Sequence, residues 1–182
     1  MDSPTVPSAD GHWAPDHLVL ARHVLAHAGR LFVERDASGV VLTYSPLAGM
    51  AAVEQRYPPW ALGPFGRIEP EYALPESPGV YALVCNGVVH YVGATNDVSR
   101  LFGVQKGVGH ISRRDCRSRR AEERCRLNRL ITTEAVAGRP VDLYLLRMPA
   151  PWTWKFGSTA DAPSRVVAEI VASNRGDWHL PE

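Results

Sequence analysis

The sequence predicts an α+β fold: a small three-stranded antiparallel sheet flanked by helices, with an N-terminal helix and β-hairpin added in front. Three observations carry this. Two apolar runs, residues 79–85 and 88–93, are joined by Asn86-Gly87, the dipeptide best suited to a two-residue turn with both residues at positive φ. A third apolar run, residues 141–148, has strand length. Helically spaced apolar residues fill the stretches between and after them, at 121–137 and 165–174.

Taken in order, residues 1–15 are polar, contain Pro4, Pro7, Gly11 and Pro15, and read as a loose tail. Asp16 is placed to cap a helix running to about residue 28 and closed by Gly29, with Leu18, Val19, Ala21, Leu25 and Ala28 as its apolar stripe. His23 and His27 stand at i and i+4, a zinc-site spacing, but no Glu accompanies them in the metalloprotease arrangement, and an exposed helix face is the simpler reading. Residues 31–35 and 40–44 form a hairpin about Asp36–Gly39, with Gly39 supplying the positive φ. Residues 45–78 hold seven prolines. Pro58-Pro59-Trp60 and Pro64-Phe65 suggest either an extended segment anchored by aromatics or a plain linker. The main module is expected over 78–182, leaving 16–77 as an N-terminal extension. Within it, Thr95 or Asn96 caps a short helix to about Phe102, residues 103–120 are irregular, and Gly138-Arg139-Pro140 ends the helix at 121–137. Its inward residues are Leu127, Leu130, Ile131 and Ala135. Residues 149–163 form a Pro/Gly/Trp loop, and Ser164 caps the last helix, whose apolar positions are Val166, Val167, Ile170 and Val171.

Composition bounds the function class. Of 182 residues, 45% are hydrophobic and 21% charged, ordinary for a globular chain with one sizeable core. Three cysteines are too few for a disulfide scaffold, no apolar run is long enough to span a bilayer, and no secretory signal is visible, so the expected compartment is the cytoplasm. The net charge of +1 conceals an asymmetry. Residues 100–131 hold 10 Lys+Arg against 3 Asp+Glu, a local +7, and the rest of the chain is −6. Eighteen of the 20 basic residues are Arg, whose planar fork suits bidentate phosphate contact. The expected partner is nucleic acid or another polyanion, set against a plain solvated face.

Gly79-Val80-Tyr81 and Tyr91-Val92-Gly93, on paired strands, resemble the signature of the GIY-YIG nuclease family. Residues 109–116 (GHISRRDC) and 125–131 (CRLNRLI) are similar to a bacterial branch of that family, and the resemblance covers about residues 78–180. It implies hydrolysis of nucleic-acid phosphodiesters, DNA favoured over RNA, with Mg²⁺ or Mn²⁺ as cofactor. Tyr81 and Tyr91 match the two signature tyrosines, one of which helps activate the attacking water. An Arg stabilises phosphate charge and a helix Glu binds the metal, so that Lewis-acid and electrostatic catalysis combine. The family's Arg position falls on Leu101, with Arg100 beside it, and counting back from His179 puts the Glu position on Val167, with Glu169 the only carboxylate of that helix. Arg100 and Glu169 are therefore the candidates, each out of register by 100° or more of helix rotation.

His110, just after Gly109 in the basic loop, is a candidate acid/base or a backbone-bonding residue. With Cys116 and Cys125 it also invites a zinc site, although the spacing lacks the usual CxxC signature. Arg113, Arg117, Arg119, Arg120 and Arg124 are the candidate phosphate contacts, and Arg114 and Arg126 fall in the family-like pattern as structural residues. Three functions are compatible with the sequence: a metal-dependent endonuclease, a nucleic-acid-binding module without cleavage, and a scaffold reused for a small molecule.

Overall fold

The computed structural model describes residues 12, 14–148, 162–173 and 176–178. Most of the expected tail, most of the 149–163 loop and His179 lie outside the described residues. In chain order the elements are β1 (His17–Leu20), β2 (His23–Val33), β3 (Thr43–Tyr44), α1 (Val53–Arg56), β4 (Phe65–Gly66), β5 (Ile68–Pro70), β6 (Gly79–Cys85), β7 (Val88–Thr95), α2 (Val98–Leu101), α3 (Glu122–Val136), β8 (Val141–Arg147) and α4 (Ala162–Ser173). They fall into two compact units. Among the described residues, those up to 30, those of 74–98 and those from 141 onward form the first, and those of 31–73 and 99–140 the second.

The expected strands 79–85, 88–93 and 141–148 are β6, β7 and β8, with β6 between the other two and antiparallel to both. Asn86 and Gly87 turn the chain at φ 51° and 75°, as a tight hairpin requires. The sheet, however, has six strands in the order β1-β2-β8-β6-β7, with β5 paired to β2, where three were expected. The addition comes from residues 17–33, expected as a helix over 16–28. There, β1 and β2 form a hairpin in register from His17↔Ala26 to Leu20↔His23, turning at Ala21 with φ 52°. The segment that supplies the helical stripe also alternates, with Leu20 and Leu25 buried and Val19 and Val24 exposed. Local propensity is a weak prior, and pairing beside β8 overrides it.

Alternation along β6 sets the two faces of the first unit. Val80, Ala82 and Val84 join Leu20, Leu25, Val92, Tyr144 and Ile170 of α4 in one core cluster, and Val166, Val167 and Val171 pack against it as their spacing predicts. Tyr81, Leu83 and Cys85 face the other way, all buried. At the start of β8 the buried Asp142 carboxylate lies 2.9 Å from His27 Nε2 and 2.7 Å from His12 Nε2, although the ring of His12 is not aimed for a hydrogen bond. A buried carboxylate needs such neighbours.

In the second unit, the turn at Asp36–Gly39 forms as expected. The Asp36 carboxylate accepts from Ser38 and Val40 backbone N–H groups, and Gly39 has φ 84°. The ribbon it closes is short, held by the Arg35↔Val41 bridge. Thr43–Tyr44 pairs instead with β4, and Leu31–Val33 with β5, so the expected hairpin of 31–35 with 40–44 is split between two partners. The proline-rich stretch is an anchored segment: Phe65 and Ala61 are fully buried with Leu47, Ile111, Cys116, Ala121 and Cys125, and Tyr57 and Trp60 pack against them. Burial pushes the Cys125 thiol up to about 12 and raises that of Cys116, so both behave as small core hydrophobes.

One amide organises this unit. Asn128 of α3 is fully buried. Its Nδ2 donates to the Gly66 and Val108 carbonyls at 2.8 and 2.7 Å, and its Oδ1 accepts from Gly66 N–H at 3.1 Å. Thr132 Oγ1 accepts from the same N–H at 3.0 Å. A Cβ at Gly66 would lie 2.7 Å from Thr132 Oγ1 and 2.5 Å from Val33 Cγ1, so only glycine admits this approach. Asn128→Leu would leave two buried carbonyls without donors and is expected to cost about 2–4 kcal/mol, measured by urea denaturation.

Candidate functional site

The two signature tyrosines come together. Tyr81 pairs with Gly93 and Leu83 with Tyr91 across the β6–β7 register. The Tyr81 and Tyr91 rings stack with centroids 5.9 Å apart at 30°. A Cβ on Gly93 would lie 2.5 Å from the Tyr81 hydroxyl oxygen and 2.8 Å from Tyr91 Cε1. The glycine of the second tripeptide thus has a steric purpose: it clears the floor on which Tyr81 lies against Tyr91. Both rings are buried, Tyr81 at 2% exposure and Tyr91 at 7%.

Glu169 is not brought to them. It sits on α4, which packs on the Val80/Ala82/Val84 face, opposite to the face that carries the tyrosines. Its carboxylate accepts from Arg22 at 2.7 Å and lies 2.9 Å from His23 Nε2. The hydrogen bond from His23 is the largest influence; burial opposes it, and with the charges of Arg22 and His23 added the carboxyl is held below the ordinary Glu range. Val167, at the family position, is a partly buried apolar residue packed on the same core. The paired histidines of the sequence separate along β2, His23 to Glu169 and His27 to Asp142. Among the described residues no group of three His, Cys, Asp or Glu side chains is arranged to hold a metal ion.

The remaining candidates lie in the second unit. Arg100 is exposed on α2. Its helix is locked onto the following loop: Val108 N–H donates to the Leu101 carbonyl at 2.7 Å, and a Cβ at Gly107 would lie 2.1 Å from that oxygen. His110 stacks on Tyr44 with centroids 5.6 Å apart at 21°. The Tyr44 hydroxyl donates to Ile111 O at 3.0 Å, accepts from Ile111 N at 2.7 Å and lies 3.3 Å from His110 Nδ1. Burial, partly offset by the Ile111 hydrogen bond and the Arg67 charge, raises the Tyr44 phenol above its ordinary value. His110 thus meets Tyr44, whose hydroxyl holds the Ile111 backbone, while Cys116 and Cys125 are buried in the core.

The arginines divide into two groups. Arg113 Nε donates to Pro46 O at 3.0 Å, Arg129 to Pro59 O at 2.7 Å, and Arg124 is bound to the Asp115 carboxylate. Arg113 and Arg124, expected as phosphate contacts, thus have structural bonds. The side chains of Arg114, Arg117, Arg119 and Arg120 are exposed and have no hydrogen-bond or ion-pair partner among the described residues. Arg117, Arg119 and Arg120 sit on two consecutive 3₁₀ turns, residues 115–117 and 119–121, ahead of α3, and Arg114 immediately precedes the first.

These turns begin at a reciprocal cap. Asp115 Oδ2 accepts from Ser112 N at 2.8 Å and from Ser112 Oγ at 2.6 Å, while Ser112 Oγ accepts from Asp115 N at 3.3 Å. This is a capping box with Asp in the place of Glu. Neither Ser112 nor Asp115 is a sequence candidate, although the Ser-x-x-Asp spacing ahead of the helix is a signal that points to them. Burial pushes the Asp115 carboxyl up, but the hydrogen bonds from Ser112 and the Arg124 guanidinium outweigh it and hold it below the ordinary Asp value.

Comparison with family models, with curated proteins and with solved structures gives no match for this chain. Among the described residues, no helix is long and apolar enough to cross a membrane.

Gly93→Ala drives a methyl into the tyrosine stack and is expected to destabilise by about 1–3 kcal/mol, with a changed near-UV circular dichroism from Tyr81 and Tyr91. Because the folded Asp115 carboxyl is depressed, its contribution is fully present above the unfolded Asp value of about 3.9 and lost as pH falls through its lower folded value. Asp115→Asn is therefore expected to lower stability by about 1 kcal/mol at neutral pH, the deficit shrinking below about pH 4, as read by thermal melts across pH.

Proposed function

We propose that the protein binds the phosphodiester backbone of nucleic acid, DNA in the first instance, through the arginine face of its second unit. One observation carries this reading: the side chains of Arg114, Arg117, Arg119 and Arg120 crowd two adjoining turns, exposed and without partners among the described residues. Four unneutralised guanidinium groups within seven residues repel one another, and a polyanion relieves that repulsion and releases its counterions. No aromatic side chain lies among residues 111–121, so the contact is with phosphate rather than with stacked bases.

A second reading, metal-dependent cleavage of the GIY-YIG type, is favoured by the Tyr81–Tyr91 stack and the glycine that accommodates it. In that reading Mg²⁺ or Mn²⁺ would supply Lewis-acid chemistry to the phosphate, and a hairpin tyrosine would take part in activating water. Glu169, engaged by Arg22 and His23 on the other face of the sheet, favours binding over cleavage.

The triple variant Arg117→Ala/Arg119→Ala/Arg120→Ala is expected to weaken binding to a short DNA duplex and to reduce the slope of log K against log salt by about 2–3, measured by fluorescence anisotropy from about 50 to 300 mM salt. An unchanged slope would sink the assignment to this face. Incubation of the wild type with duplex, single-stranded DNA and RNA, with Mg²⁺, Mn²⁺ or chelator, separates the readings. Metal-dependent products lost in Tyr81→Phe would establish cleavage, and intact substrate with salt-sensitive binding would establish the binding module.

A further inference from the structure

We propose that Asp115 is a positioning residue for the arginine face, so that an acid lying inside the basic patch strengthens polyanion binding instead of opposing it. The inference rests on the nucleic-acid reading given above. Between residues 111 and 121 Asp115 is the only acid among five arginines. On charge alone its presence weakens the positive potential there, and its neutralisation would tighten binding to a phosphate backbone.

The geometry argues for the opposite sign. The turns at 115–117 and 119–121 are three-residue 3₁₀ segments, separated by an extended Ser118 at φ −113°, ψ 114°, and neither has a side-chain bond at its own cap residue. Such short segments have poor hydrogen-bond geometry and do not hold themselves. The backbone bonds within them, Arg117 N to Arg114 O at 3.2 Å and Ser118 N to Asp115 O at 3.0 Å, are local. The side-chain ties run through Asp115. One carboxylate oxygen takes the Ser112 backbone and hydroxyl donors, and the other takes the Arg124 guanidinium from α3. The carboxylate therefore fastens the start of the turns to the helix behind them, and the arginines that project from the turns inherit that order. Presenting four long side chains on a fixed backbone lowers the entropy lost when they bind.

The test separates position from charge. Wild type, Asp115→Asn and Ser112→Ala are titrated against one fluorescent DNA duplex of mixed sequence at several salt concentrations. The assay temperature is one at which circular dichroism shows all three folded. Asp115→Asn is expected to bind about three- to tenfold more weakly, with a shallower salt slope because fewer phosphates are met at once. Ser112→Ala, which changes no charge, is expected to move in the same direction by a smaller factor. A loss of folded protein alone would lower the active fraction and leave the slope unchanged, so the slope reports on positioning. Equal or tighter binding by Asp115→Asn, with the wild type bound, overturns this inference alone. A wild type that binds no nucleic acid at low salt overturns the underlying reading and this inference with it.

Discussion

The buried Asn128 amide is the constraint on which the second unit depends. It supplies donors to two carbonyls and an acceptor to one N–H, on β4 and on the loop at Val108, from a single position of α3. These backbone groups lie at places where no regular ladder completes their bonding. An unpaired buried carbonyl or N–H is costly, so the side chain stands in for a strand that is not there. Gly66 admits the close approach of Val33 and Thr132, and Gly109 that of the Gly103 and Ile68 carbonyls, each with a would-be Cβ inside 3 Å of them. The turns that bear the arginines are fastened to α3 by the same strategy, with Asp115 in place of Asn128. In both cases irregular backbone is ordered by one polar side chain with several partners, rather than by its own periodicity.

The first unit is organised by alternation instead. β6 is buried along its whole length, so its two faces demand different neighbours. One face takes Leu20, Leu25 and α4, which is an aliphatic core. The other presents Tyr81 over Gly93 and against Tyr91. The tyrosine motif is thus first a packing device: a large ring, a vacant Cβ position and a second ring. The helix that carries the only candidate metal-binding carboxylate lies on the aliphatic face, and that carboxylate is satisfied by Arg22 and His23 at the hairpin turn of β1 and β2. These groups are thus separated across the sheet.

Legibility of the sequence tracks locality. The β6–β7 hairpin, α3, β8 and α4 are readable because their signals are internal: Asn86-Gly87 selects its turn whatever surrounds it, and the apolar positions of α3 and α4 recur at helical spacing without alternating. The Asp36–Gly39 turn is readable for the same reason. Residues 17–33 mislead because Leu18, Val19 and Leu25 fit a helical stripe and a strand pairing alike, and only the presence of neighbouring strands decides between them. The candidate site residues show the same division. Tyr81, Gly93 and Tyr91 are visible as a pattern, and the positive charge of residues 100–131 is visible as a sum. Which arginines are spoken for is not, since the Pro46 carbonyl that takes Arg113 lies 67 residues away.

By itself, then, the sequence determined the hairpin with its paired tyrosines, the α+β class, and a concentration of arginine ahead of one helix, because each of these is written in short-range spacing and composition. The tertiary structure decided the six-stranded sheet, the engagement of Glu169 away from the tyrosines, and the division of the arginines into those that hold the fold and those left exposed. These turn on hydrogen bonds and ion pairs between residues far apart in the chain, and only long-range packing selects which partners meet.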